Sequence, residues 1–221
     1  MTGGGPAAIF PPIAAAHKME SSDATSIVRE ENSPGVETLI VDGIWGWHPR
    51  WNRLRARVEH EVGPCRIWHY DNMGGRTIEE LAARLAAELQ RMDRPFNLIG
   101  YSMGSLIIRE AMRQAPELPL RRAVFLHSPH AGSLAAWLLP LPACREMMPG
   151  SGFLRRLNAA PWAVPTLVTW CPWDLMVFPG NSARWSGATL TLCCHVPAHV
   201  WPVVSPGIHK AVIVFLTPDA P

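Results

Sequence analysis

The segment that most constrains this chain runs from Phe96 to Ile108. Phe96-Asn97-Leu98-Ile99 reads as a buried strand, Gly100-Tyr101-Ser102-Met103-Gly104 follows at once, and Leu106-Ile107-Ile108 opens a helix. A strand that enters a helix through five residues framed by glycine must turn sharply, and side chains at Gly100 and Gly104 would collide with neighbouring elements. Such a turn holds Ser102 in a strained backbone conformation with its hydroxyl exposed. Because the helix starts here, the N–H of Met103 has no intrahelical partner, and the helix dipole adds positive character at the same point. A glycine-rich turn with a capping serine is the plainer explanation of the same residues.

Around this segment, short apolar runs alternate with helical patterns from Val36 onward. That alternation is the sign of an α/β fold, a parallel sheet covered by helices on both faces. Six strands are predicted: Glu37–Asp42, Cys65–Tyr70, Phe96–Tyr101, Arg122–His127, Thr166–Trp170 and Thr189–His195. Ile78, Leu81, Ala82, Leu85, Ala86 and Leu89 fall at helical spacing within 77–92, after a capping box Thr77-x-x-Glu80. Trp51, Leu54 and Val58 mark a helix after the first strand, and a terminal helix begins near Ser205. Residues 1–35, with Gly3 to Gly5, several prolines and a polar stretch, are expected to be a flexible lead-in to a single domain over 36–221. The segment 131–165 breaks the rhythm, either as a lid or cap or as an irregular crossover that covers the sheet.

Composition narrows the partners. With 20 basic and 18 acidic residues the formal charge is +2 and no basic run stands out, so nucleic acid is not an expected partner. The five cysteines include no C-x-x-C pair, which argues for reduced, mostly buried thiols and against a zinc or redox site. Pro6, Pro11 and Pro12 interrupt the apolar start and no basic residue precedes it, so no signal peptide is read. No run reaches the roughly 18 apolar residues of a bilayer-spanning helix. The expectation is a soluble, cytoplasmic protein.

If Ser102 acts as a nucleophile it needs a base, from a loop that returns to the same end of the sheet. Of the nine histidines, His199 lies in the loop between the last strand and the terminal helix, whereas His195 ends that strand, His209 sits in the helix, and His127 and His130 follow the fourth strand. An acid must orient the imidazole. Asp174, after Thr166–Trp170 and the turn Cys171-Pro172-Trp173, fits that place, and a turn aspartate bonding its own backbone is the alternative. A second oxyanion donor is expected in Asp42-Gly43-Ile44-Trp45-Gly46-Trp47, with the Ile44 N–H leading beside that of Met103. Trp45, Trp47, Trp137, Trp173 and Trp201 are candidate walls of an apolar acyl pocket or plain packing residues. No metal or cofactor is called for.

These motifs resemble the lipase and esterase branch of the α/β-hydrolase superfamily, especially small bacterial lipase-like proteins, from about Thr38 to Leu216. Ser128-Pro129-His130-Ala131-Gly132-Ser133 looks like that group's Pro-His-x-Gly-[Ser/Thr] stretch, and Phe153-Leu154-Arg155-Arg156-Leu157-Asn158 like its Phe-Leu-x-x-Leu-Asn. Asp174-Leu175-Met176-Val177-Phe178-Pro179 is similar to its Asp-x-x-Val-x-Pro loop, and His199 followed by Ser205-Pro206 to the stretch carrying its histidine. The resemblance implies a carboxylic ester hydrolase that forms an acyl-enzyme on a Ser102-Asp174-His199 triad, acting on small-molecule or lipid esters. A thioesterase, transacylase or amidase, or a noncatalytic binding protein, would share the fold. Two departures stand out: Asp42-Gly43 where the family has His-Gly, and Ala198 where Gly precedes its histidine. Asp42 brings a negative charge towards a site that must stabilise an oxyanion, unless it turns away and caps or pairs.

Overall fold

Strands covered on both sides have no solvent face, which is why they read as unbroken apolar runs. In the computed structural model, which describes residues 36–217, the strands are β1 (Glu37–Val41), β2 (Cys65–Ile67), β3 (Phe96–Tyr101), β4 (Leu120–Leu126), β5 (Thr166–Trp170) and β6 (Leu190–Cys193); β1, β3, β4 and β5 are largely buried, whereas β6 is mostly exposed. The lead-in expected over residues 1–35 lies outside the described residues. The strands form one sheet in the order β2-β1-β3-β4-β5-β6, every neighbouring pair parallel. The α/β class and the sheet of six parallel strands are as expected from the sequence. Four strands have other bounds than expected. β1 stops at Val41 rather than Asp42, β2 stops at Ile67 rather than Tyr70, β4 runs over Leu120–Leu126 rather than Arg122–His127, and β6 over Leu190–Cys193 rather than Thr189–His195.

Among the described residues, seven α-helices accompany the strands: α1 (Asn52–Glu61), α2 (Ile78–Leu89), α3 (Met103–Gln114), α4 (Pro142–Glu146) and α5 (Gly152–Ala159) between strands, and α6 (Trp201–Val204) and α7 (Pro206–Leu216) after β6. Successive strand side chains point to opposite faces, so two cores result. Leu39, Val41, Leu98, Phe125 and Val168 pack with α2 through α5 on one face. Ile40, Ile99, Tyr101, Leu126 and Leu167 pack with Trp51, Leu54, Val58, Val203 and Val212 on the other. Each fully buried aliphatic or aromatic side chain contributes about 1.5–3 kcal/mol. The capping box that opens α2 is formed: Thr77 Oγ1 accepts from Glu80 N at 3.1 Å, and Thr77 N donates to Glu80 Oε2 at 3.1 Å.

Segment 131–165 contains a 3₁₀ turn at Leu134–Leu138 followed by α4 and α5, and Ala143, Cys144, Met147, Phe153 and Leu157 join the α2–α3 core. All five cysteines are free, four of them buried and Cys193 exposed. Among the described residues, no helix is long and apolar enough to cross a membrane.

The strand order decides what meets at the carboxyl end of the sheet. The chain leaves β1 to add β2 on one side, then returns to place β3 on the other. The end of β1 therefore lies beside the end of β3, a point of divergence where α/β sheets open a crevice. Next to β3 come the ends of β4, β5 and β6 in order, so loops distant in sequence share one surface.

Candidate active site

Ser102 caps α3 with φ 52° and ψ −124°, a left-handed region that a side chain other than glycine enters at a cost of order 1–3 kcal/mol. The turn is enforced from both sides. A Cβ on Gly104 would run into the carbonyl oxygens of Val41 and Asp42, and one on Gly100 would lie 2.6 Å from Ser105 Cα. Only glycine lets α3 start this close to β1 and β3. Ser102 N donates to Leu126 O at 2.9 Å, tying the turn to the end of β4. Trp45 and His127, at φ 53° and 45°, are the other described non-glycine residues with positive φ, so strain gathers at the ends of β1, β3 and β4.

Ser102 and His199 line one cavity of about 220 Å³, walled also by Ile44, Trp45, Ala136, Leu139, Met147 and Val177. His199 Nδ1 lies 2.7 Å from Asp174 Oδ2, which leaves Nε2 as the free nitrogen of the ring. The His199 ring lies 5.0 Å from that of Tyr101, the residue before the serine. Among the described residues no hydrogen bond joins Ser102 Oγ to His199; such bonds often tighten only when substrate is bound. Asp174 is buried, and its other oxygen accepts from Met176 N at 2.9 Å and Val177 N at 3.0 Å. Burial alone would raise the Asp174 carboxyl, but His127, His199 and the backbone N–H of Val177 outweigh it and hold the group well below the usual carboxylate range. Asp174 is thus ionised and held by four contacts.

The loop after β1 resolves the charge that Asp42 brings. Its carboxylate is fully buried, with Oδ1 paired to Arg50 and accepting from Gly43 N at 2.8 Å. Arg50 in turn stacks over the Tyr101 ring, 4.6 Å from its centroid, and borders the cavity. The N–H groups of Ile44 and Met103 have no backbone acceptor among the described residues, the condition for an oxyanion donor.

His127, Asp174 and His199 also form the one described cluster whose potential ligand atoms lie within 4.8 Å of one another. Tetrahedral zinc at about 2.0–2.1 Å from each ligand would need its ligands about 3.3 Å apart. The His199–Asp174 pair at 2.7 Å is closer than that and has the spacing of a hydrogen bond.

Several sequence expectations land elsewhere. Of the five tryptophans named as possible pocket walls, Trp45 alone lines the cavity; Trp47, Trp137 and Trp173 are exposed on the surrounding loops. Ala136, Leu139, Cys144 and Met147 supply that wall instead, from a segment whose irregular pattern gave no periodic signal. His195 is exposed, and buried His209 bonds Val203 O at 2.8 Å. His130, in the Pro-His motif, is buried 3.2 Å from Arg109 Nη1 and stacks on Trp185, away from Asp174. The sequence reading gave Arg50 no role and set His127 aside in favour of His199 as the base. An arginine eight residues beyond Asp42 was the available signal for the first; His127 gave none.

A wider groove of about 500 Å³ opens at the amino end of the strands among Glu37, Pro64 and Arg94, and its lining holds no serine or histidine. Ser102 and His199 belong to the smaller cavity.

The sequence matches no family model and no curated protein. Solved structures match in shape. A Bacillus licheniformis lipase in its mature form superposes with TM-score 0.69 at 17% identity, covering 87% of this chain and 96% of that one. A Paleococcus ferrophilus monoacylglycerol lipase gives 0.60 at 14%, covering 83% and 96%. Aspergillus fumigatus lipase B gives 0.62 at 12%, covering 82% of this chain but 51% of its own length. At such identities the likeness carries the fold alone, which is that of the α/β-hydrolases.

Proposed function

We propose, for a chain that has the α/β-hydrolase fold, that it is a serine hydrolase cleaving carboxylic esters through an acyl-enzyme. The observation that carries this reading is the 2.7 Å contact between His199 and Asp174 beside a cavity that also holds Ser102 in its strained turn. Ser102 Oγ attacks the ester carbonyl while His199 Nε2 takes its proton, and Asp174 keeps the other ring proton on Nδ1 and stabilises the cation. The N–H groups of Met103 and Ile44 receive the oxyanion. As the tetrahedral intermediate collapses, His199 returns the proton to the leaving alcohol. Water then repeats the sequence on the acyl group and frees Ser102.

The cavity's apolar walls, including Leu139, Met147 and Val177, support an acyl group with a hydrocarbon chain. Exposed Trp47, Leu134, Trp137, Leu138, Trp173 and Leu175 extend this apolar character over the neighbouring loops. A fluorophosphonate probe tests the nucleophile: Ser102→Ala is expected to abolish labelling, and undiminished labelling overturns the assignment. A nitrophenyl ester series tests the acyl site, with butyrate and octanoate expected to react faster than acetate. Added alcohols separate hydrolysis from acyl transfer by the products formed.

A further inference from the structure

His127 directly follows β4, with its side chain fully buried and its backbone at φ 45°. Its N–H is held by β5, donating to Thr169 O at 3.1 Å and Thr169 Oγ1 at 3.2 Å, and β5 leads directly into the loop that carries Asp174. Nδ1 lies 3.1 Å from Asp174 Oδ2, the same oxygen that His199 Nδ1 approaches at 2.7 Å. The 3.1 Å approach lacks hydrogen-bond alignment, and neither ring nitrogen of His127 has a hydrogen-bond partner in the resting structure. The two imidazole rings are 6.0 Å apart.

Packing alone is a poor reason for this residue. A buried imidazole with unpaired nitrogens and a left-handed backbone is costly twice over, and glycine or an aliphatic residue would avoid at least one of the costs. Such doubly unfavourable positions are characteristic of functional sites.

We propose that His127 is a positioning residue for the Ser102-His199-Asp174 arrangement: its Nδ1–H is poised on Asp174 Oδ2, fixing the carboxylate's rotation and keeping it ionised while His199 carries the proton. The inference rests on the ester hydrolase reading above. Burial pushes the His127 ring below the ordinary histidine range, so it serves as a neutral donor and not as a second base. The titratable groups acting on it are Asp174, from the loop after β5, and His199, from the loop after β6. Tyr101 of β3 packs against His199 from the serine side. With His199 bonded to one oxygen, His127 poised 3.1 Å from that same oxygen, and two backbone N–H groups on the other, the Asp174 carboxylate is held from both ends.

Three variants test this. His127→Leu keeps bulk and removes the donor. His127→Gly removes the donor at a φ that glycine adopts freely, and serves if the leucine variant does not fold. His127→Asn places an amide N–H near the Nδ1 position and tolerates the left-handed backbone. Steady-state kinetics on nitrophenyl butyrate across pH 5–9 is the assay, with melting temperature recorded for each variant. For the donor-less variants the expected result is a fall in kcat of about tenfold with KM held within about twofold. Their acid limb should move up by about half a pH unit, because Oδ2 then holds the His199 imidazolium alone and more tightly. His127→Asn should retain both the rate and the limb position. A folded donor-less variant with the wild-type kcat and acid limb overturns the proposal, as does an asparagine variant that loses as much as the leucine one. Failure of the underlying reading looks different: wild-type protein would then lack labelling and turnover that depend on Ser102.

Discussion

The Arg50–Asp42 pair beneath the Ile44 loop gives the sharpest energetic test. Arg50→Met keeps most of the side chain's length and removes its charge. Asp42 is then left fully buried, with the Gly43 N–H at 2.8 Å as the remaining donor on Oδ1 and no partner on Oδ2. Removing one partner of a buried ion pair costs about 3–5 kcal/mol, because the surviving charge stays desolvated. For a domain of this size each kcal/mol lowers the melting temperature by about 2–4 °C, so the variant should melt about 6–20 °C below wild type. The double variant Asp42→Asn/Arg50→Met should recover at least about 2 kcal/mol, since a neutral amide still accepts from Gly43 N–H and needs no counter-ion. Urea unfolding of wild type, both single variants and the double variant gives the full cycle. Fluorophosphonate labelling of folded protein gives the functional counterpart, with the single Arg50→Met variant expected to label more slowly than the double variant. A cost below about 1 kcal/mol for Arg50→Met, or no recovery in the double variant, would refute the argument that Arg50 neutralises a buried charge.

Other consequences follow from close packing, burial and cavity shape. Gly104→Ala should destabilise by several kcal/mol and abolish labelling of Ser102, because its Cβ meets backbone oxygens of Val41 and Asp42 that have no room to retreat. Burial raises the Glu146 carboxyl to about 7 despite the N–H donated by Ile78. Its contribution to stability is complete below the ordinary carboxylate range and is lost as pH rises through about 7. Glu146→Gln keeps an acceptor for Ile78 and should therefore be more stable than wild type at pH 8, by on the order of 1 kcal/mol, but not at pH 5. Equal effects in urea unfolding at the two pH values would contradict this. Ala136→Phe should fill part of the cavity of about 220 Å³ and slow octanoate hydrolysis more than acetate hydrolysis, read as the ratio of kcat/KM values.

Patterns confined to a few neighbouring residues are legible in the sequence. The capping box and six apolar positions of α2 obey helical periodicity, and they recur in the fold with Ile78, Leu81 and Leu85 fully buried. The turn at Ser102 is legible for the same reason: glycines at both ends of a five-residue link between an apolar strand and an apolar helix leave one way for the chain to pass. Strand ends are less legible. His127 extends an apolar run in sequence, but its positive φ ends β4 one residue earlier. Trp47, Trp137 and Trp173 show the limit for side chains, since bulk and aromaticity are the same on a loop surface as in a pocket wall.

The sequence by itself determined the alternation of strands and helices, the glycine-framed serine, and the succession of Ser102, Asp174 and His199 along the chain. These depend on local backbone geometry and on periodicity, which span a turn or two. Tertiary structure alone decided the second imidazole on Asp174, 47 positions earlier in the chain, and the cavity wall taken from 133–147. The physical reason is the order of strands in the sheet. Placing β1, β3, β4, β5 and β6 side by side brings five separate loops to one end, and no window along the chain contains that adjacency.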